Sequence, residues 1–307
     1  MNHQGEVIAK RSQKDLTGQL RAREVIDCIN CGYPHLNPLP SNEELGQFYA
    51  YHFYEKQKPD YLSKMESEEK YWIAIYKMKI ELFFRELQEK NPRVLDVGSS
   101  GGLFLFAAQS LGARVLGIEP SEKAAAYAIE RFGIETLCKS YEQTNIPNES
   151  FDVIHSSLVM EHLIDPKHYL EWCLSKLRPH GILVCETPNE FNRLQRIVTS
   201  HLNHEDWFVA HPDHLNYFNE KSLRSVGEKF GFKFLKSYAS FPMEAAILSG
   251  YDYLSDGKIG SHVHLARMKF ELNLIESGNS DLLEAFYKFF ADHKIGRTIT
   301  CVFTKPN

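Results

Sequence analysis

A chain of 307 residues, 43% hydrophobic and 24% charged, can bury a sizeable core, and that balance excludes a disordered or collagenous polypeptide. No window approaches the roughly 18 uninterrupted apolar residues of a membrane helix, and a formal net charge of −5 argues against a phosphate backbone as the main partner. The expectation is therefore no nucleic acid and no membrane.

Residues 1 to about 65 read as an irregular N-terminal extension, with turn residues at Cys31-Gly32-Tyr33-Pro34 and Asn37-Pro38-Leu39-Pro40 and an aromatic cluster from Phe48 to Tyr54. The cluster is expected to pack the extension onto the rest of the chain. Between Glu68 and Glu89, Trp72, Tyr76, Ile80, Phe83 and Leu87 recur at helical spacing, which predicts one long amphipathic helix ended by Asn91-Pro92. Strand and helix signals then alternate: strands over 93–98, 114–120, 151–157 and 182–188, helices over 103–112, 121–133 and 166–181. Such alternation implies βαβ units and a parallel sheet with helices on both faces. Gly112, Gly133 and Gly181 stand where helix C-caps are expected. Residues 189–215 are polar, aromatic and rich in histidine, as a lid would be, with Trp207-Phe208 as an anchor. A helix over 220–232 and a final strand over 297–305 complete the pattern. Six cysteines are too sparse for a disulfide scaffold, and no apolar signal segment follows Met1, so a reduced, cytoplasmic protein is expected.

The sharpest feature is Val94-Leu95-Asp96-Val97-Gly98-Ser99-Ser100-Gly101-Gly102, an apolar strand running into a glycine-rich turn that opens a helix. Missing Cβ atoms let a ligand lie against such a backbone, and the helix start offers unpaired N–H groups. Read as a dinucleotide fingerprint, the turn supplies glycine at only one of three required places, since Ser100 and Leu103 hold the others. Glu119 ends the next strand, about 20 residues on, at the right reach to accept hydrogen bonds from a ribose diol.

This stretch resembles motif I and its successor in class I S-adenosylmethionine-dependent methyltransferases. Gly98 and Gly102 match the motif's first and third glycines, and Ser100 replaces the second. The likeness continues through Glu119-Pro120-Ser121, the segment from Ile146 to Ile154, Val159-Met160-Glu161-His162-Leu163 with Asp165-Pro166, and Leu177-Arg178-Pro179-His180-Gly181. It covers about residues 92–190. What it implies is a doubly wound, mostly parallel seven-stranded α/β sheet, Rossmann-like. The implied organisation is an N-terminal extension over 1–65, a cofactor-binding core over 66–190, and a lid, substrate region and final strands over 191–307. The implied cofactor is S-adenosylmethionine, with Asp96, Gly98, Ser99, Ser100 and Gly102 around its methionine part and Glu119 on its ribose. Where the family often has an acid for the adenine this chain has Ser140, so Ser140 and Tyr141 become the adenine candidates. Ser156 and Ser157 fall at the carboxyl end of the fourth core strand.

The flanks are similar to a narrower group that methylates sugars in polysaccharide or natural-product pathways, through Cys28-Ile29-Asn30-Cys31-Gly32 and an H-x-x-x-F element, His214 to Phe218. The resemblance implies O-methylation of a small-molecule acceptor, a carbohydrate. A nitrogen or carbon acceptor, a non-catalytic cofactor-binding protein and a nicotinamide-dependent oxidoreductase are the alternatives. Transfer to a hydroxyl needs positioning and a base; His214, His162, His211 and Glu186 are the candidates, and no metal is required. Cys28-x-x-Cys31 is half a zinc knuckle without a second C-x-x-C upstream in this sequence. His3 or His35 could complete a site, but the reading is of packed thiols with no bound metal.

Overall fold

A computed structural model describes residues 3–14, 20–40, 61–87, 89–211 and 213–307. The aromatic cluster from Phe48 to Tyr54 lies outside the described residues.

The extension is not irregular. Strands β1 (Gly5–Lys14), β2 (Leu20–Cys28) and β3 (Tyr33–Asn37) form a three-stranded antiparallel sheet in the order β1-β2-β3. Its charged residues hide the pattern: Lys10, Arg11, Arg23 and Glu24 crowd the strands, although Val25 and Ile26, on opposite faces of β2, are both buried. Ala9, Val25 and Leu36 form a small core with Phe208, Val209, Leu215 and Tyr217 from far along the chain, and Ile26, Cys28 and Tyr33 join a larger core. An edge-like bridge between His35 and Asn216 extends the contact.

Helix α1 (Tyr61–Ser67) precedes helix α2 (Glu69–Phe84), which is the expected long helix but ends sooner than Asn91-Pro92 requires. Ile80 and Phe83 of the stripe read from sequence are buried together with Tyr71, Ile75, Met78 and Leu82, while Trp72, Tyr76 and Leu87 are partly buried against the same core. The stripe is wider than the one read from sequence because α2 is covered on more than one side. The core follows in order: β4 (Arg93–Val97), α3 (Leu103–Ser110), β5 (Arg114–Ile118), α4 (Glu122–Phe132), β6 (Thr136–Leu137), β7 (Phe151–Ser157), α5 (Pro166–Lys176) and β8 (Leu177–Pro188). Local chemistry sets these boundaries: the Ser121 hydroxyl caps α4 at Ala124 N–H, and Asp165 caps α5 just before Pro166. Gly133 closes α4 in the left-handed region, as expected. Gly181 does not cap a helix. It lies inside β8, where a Cβ would sit 2.9 Å from the Arg178 carbonyl, so glycine there answers a close backbone approach.

Beyond β8, the presumed lid contains α6 (Arg193–His201), closed at its start by a capping box of Asn192 and Gln195. Helix α7 (Glu220–Lys229), strand β9 (Lys233–Ala239), helices α8 (Glu244–Leu248), α9 (Gly257–Glu276) and α10 (Ser280–Asp292), and strand β10 (Thr298–Thr304) follow. The main sheet runs β6-β5-β4-β7-β8-β10-β9, parallel except for the pairings of β10. This is the doubly wound, mostly parallel seven-stranded sheet of the class I methyltransferase fold.

Period-two alternation fills both faces. Leu95, Val97, Leu183, Cys185, Cys301 and Phe303 point to a core shared with α5 and α7. Val94, Val153, Ile182, Val184 and Val302 point to a second core with α2, α3, α9 and α10. One buried carboxylate ties that second layer together. Glu271 on α9 accepts from the Tyr71 hydroxyl and, at 2.7 Å, from the Tyr287 hydroxyl, linking α2, α9 and α10. Replacing Glu271 by alanine is expected to cost about 2–4 kcal/mol, because two buried phenols lose their acceptor. Urea unfolding would read this as a lower midpoint with an unchanged slope.

Six free cysteines fit the expected absence of a disulfide framework, although Cys138 is exposed and not buried in its run. Among the described residues no helix is long and apolar enough to cross a membrane.

Candidate active site

Chain order reverses between β4 and β7, the place where open parallel sheets bind ligands beyond their strand ends. Two turns meet there. Gly98 follows β4 with φ +75°, and a Cβ on it would lie 2.6 Å from Val159 Cγ2 in the turn after β7. On the other flank, α1 closes over the glycine turn: Met65 Cε would be 2.4 Å from a Cβ on Gly101, and the Ser100 hydroxyl donates to Tyr61 Oη at 2.8 Å. Gly102 has a different task, since a Cβ there would meet Ala128 Cβ at 2.9 Å and push α3 from α4.

Glu119, at the end of β5, is 3% exposed and holds this turn. Its two oxygens accept from Ser100 N–H at 2.9 Å and Ser121 N–H at 2.8 Å. A carboxylate offers about four lone-pair sites, so its capacity exceeds these two bonds. A buried acid beside a turn of nearly bare backbone is what the ribose and the methionine part of a nucleoside sulfonium need, so these residues fit the implied cofactor.

Other residues named from sequence take different places. Asp96 accepts from His155 Nδ1 at 2.7 Å beneath the turn, and His155 stacks on Phe104 with centroids 3.6 Å apart. Asp96 is thus held by the protein, in reach to position the turn above it. The Ser99 hydroxyl is buried and faces Gly117, leaving only its backbone in the turn. Ser140 N-caps a short 3₁₀ turn (Tyr141–Gln143), while the Tyr141 ring packs on Tyr169 and Trp172 and its hydroxyl meets His168 Nδ1 at 3.1 Å. Only Ser140 and the nearby backbone remain candidates for an adenine edge. Ser156 is buried against Cys185, and Ser157 ends β7.

Glu186 is tied down. It pairs with Lys79 and accepts from the hydroxyls of Thr300 at 2.8 Å and Thr298 at 3.2 Å. Burial opposes its ionisation, but Lys79 outweighs burial and holds the carboxyl below its usual range. This saturated anion clamps α2, β8 and β10 and has little basicity to offer.

The histidines named from sequence lie in the 3₁₀ turn Met160–His162 and the segment after α6. Glu161 carbonyl accepts from the N–H groups of Leu215 and Asn216, and the Asn216 amide donates to the carbonyls of Met160 and Leu163. These bonds bring the rings of His162 and His214 to 5.3 Å. Burial works against a charge on His162, yet its hydrogen bond with Asp213 and the nearby Glu161 raise its pKa to about 9. These partners favour the protonated form of His162. His214 Nδ1 lies 3.9 Å from Glu190 Oε1, at ion-pair distance. Burial raises the carboxyls of Glu161 and Glu190 to about 7 each. His211 is buried three residues upstream of His214.

By distance, two side-chain groups among the described residues could take a cation: Glu161, His162 and His214, and, under the N-terminal sheet, His3, Cys28, Cys31 and His35. Sequence reasoning missed Tyr61, Lys79 and Glu190. Glu190 follows a strand end and stands beside a capping asparagine, the one signal that could have marked it.

Comparison with known proteins agrees with this geometry. The family described as "Methyltransferase domain" matches residues 70–237. The ubiquinone biosynthesis O-methyltransferase of Bradyrhizobium diazoefficiens is 34% identical over 102 residues, 32% of this chain and 40% of that protein. The enzyme of the same name from Dinoroseobacter shibae is 30% identical over 156 residues, 48% of this chain and 58% of that one. The matches thus span about half the length of these curated relatives. A solved chain from the complex between the Haloferax volcanii Trm112 methyltransferase activator and a methyltransferase superposes with TM-score 0.50 at 17% identity, covering 80% of this chain and 93% of that one. At that identity it speaks for the fold alone.

Proposed function

The chain belongs to the methyltransferase-domain family, class I enzymes that use S-adenosylmethionine, and from that premise we propose that it methylates a hydroxyl oxygen of a small molecule. The observation that carries the oxygen is the pair His214 and Glu190, 3.9 Å apart, a proton acceptor with a carboxyl group behind it. S-adenosylmethionine supplies a methyl group on a positively charged leaving group. The glycine turn and Glu119 bind and orient it. His214 takes the acceptor's proton on the ring nitrogen turned away from Glu190, and Glu190 stabilises the imidazolium that results. His162, already charged and fixed by Asp213, positions the Met160–His162 turn and favours an acceptor oxygen that is becoming anionic.

Names of the relatives favour a ring hydroxyl of a quinone precursor, whereas the flanking motifs favour a sugar hydroxyl. The relatives match 32% and 48% of this chain, and a phenol, being more acidic than a sugar hydroxyl, asks less of a buried base. We therefore rank the phenol first. Incubation with S-adenosylmethionine and a panel of catechols, quinols, free sugars and nucleotide sugars, read by mass spectrometry for one added methyl, tests this. Methylation of the sugars alone would reverse the ranking, and transfer only to amines would remove the oxygen reading.

A further inference from the structure

We propose that His3, Cys28, Cys31 and His35 hold one structural zinc ion, bound by two thiolates and two imidazoles, that fastens the N-terminal sheet. Each of the four supplies one donor atom, and all four donors lie within 4.8 Å of one another. His3 Nδ1 is 3.6 Å from Cys31 Sγ and 3.9 Å from Cys28 Sγ. Sulfur and nitrogen ligands on tetrahedral zinc, with bonds near 2.3 and 2.0–2.1 Å, are themselves about 3.6 Å apart. The side chains already stand close to that tetrahedron.

His35 carries the most specific sign. It is 2% exposed, and its Nδ1 donates to the Leu36 carbonyl at 2.7 Å. A carbonyl has no proton to give, so the ring proton is on Nδ1 and Nε2 carries a lone pair. That Nε2 is buried without a hydrogen-bond partner. A buried acceptor with nothing to accept costs free energy, and a metal ion removes the cost. Metal-bound histidines carry this same outer hydrogen bond, which fixes the tautomer and aims the free nitrogen. Cys28 and Cys31 are buried and unpaired, and the turn between them is shaped by Gly32 at φ +83°, whose N–H donates to the Cys28 carbonyl.

Charge balances. Two thiols release their protons as the ion binds, and two thiolates with two neutral imidazoles leave a buried site of zero net charge. A shallow cavity lined by His3, Cys31, His35, Asp165, Lys167 and Asn216 gives the ion a way in. Four protein donors leave no position for substrate water, so the ion is structural. It joins the segment leading into β1, the end of β2, the following turn and β3. Expectation from sequence was a pair of packed thiols; the fold supplies the two missing ligands from either side.

The full chain, purified without a metal-affinity tag or chelators, is expected to carry about one zinc per molecule by inductively coupled plasma mass spectrometry. The double variant Cys28→Ser/Cys31→Ser should retain less than about a tenth of that, while Cys138→Ser keeps it all. Because the double variant can misfold, a second measurement uses the native chain. After stripping with a chelator and reloading with Co²⁺, it should show the visible d–d bands and thiolate charge-transfer absorption of a tetrahedral site, and His35→Asn should alter them. Zinc retained by the double variant, or a native chain with neither zinc nor the tetrahedral cobalt spectrum, overturns the proposal.

Discussion

Alanine at position 98 is expected to weaken binding of S-adenosylhomocysteine by at least about tenfold and to lower the melting temperature as well. Gly98 has φ +75°, where a side chain costs roughly 1–2 kcal/mol. Its Cβ would also stand 2.6 Å from Val159 Cγ2, closer than two carbons approach. Relief requires the turn after β4 or the turn after β7 to move, and these are the two walls of the cofactor crevice. Isothermal titration of wild type and variant gives the comparison. Ser100→Gly supplies the control, because Ser100 already holds φ +48° against its own preference. Glycine relaxes that strain at the expense of the bond to Tyr61, so its affinity should stay within about threefold of wild type. Equal affinities for Gly98→Ala and wild type would mean the cofactor lies elsewhere.

His214→Ala should reduce kcat by about 10²–10⁴-fold on an acceptor that the wild-type protein methylates, with S-adenosylhomocysteine affinity changed less than about twofold. The base is removed while the glycine turn and Glu119 stay intact. Glu190→Gln keeps the shape of the pocket but removes the carboxyl group that faces His214 Nδ1, so a smaller loss is expected. A rate for His214→Ala equal to wild type would remove the residue from the chemistry.

Elements of the core were legible because their information is local. Asp165-Pro166 and Ser121 start helices, Gly133 ends one, and uninterrupted apolar runs mark strands buried on both faces. The glycine turn and Glu119 were found for the same reason, since both sit at strand ends a fixed distance apart. Where the reading failed, distant contacts decide. Strands β1 and β2 look polar because their few apolar residues answer to distant partners: Ala9 and Val25 pack on residues near position 210, and Ile26 and Cys28 join the core around Phe218. Glu186 looked like a base until Lys79, Thr298 and Thr300 were seen around it. The packing of α2 on α9 likewise runs through Glu271, which nothing near position 71 announces.

The docking of β3 on the segment from Leu215 to Tyr217 also dictates an order of assembly. Leu36 N–H donates to the Leu215 carbonyl and Tyr217 N–H to the Pro34 carbonyl, and the entire cofactor-binding core lies between those partners in the chain. Closing so long a loop is slow in a disordered chain but costs little once β4 to β8 have folded and brought its ends together. The three strands that precede the core are thus placed late. Until then Val25 and Leu36 lack their cover, and the segment bearing His214 lacks its backing.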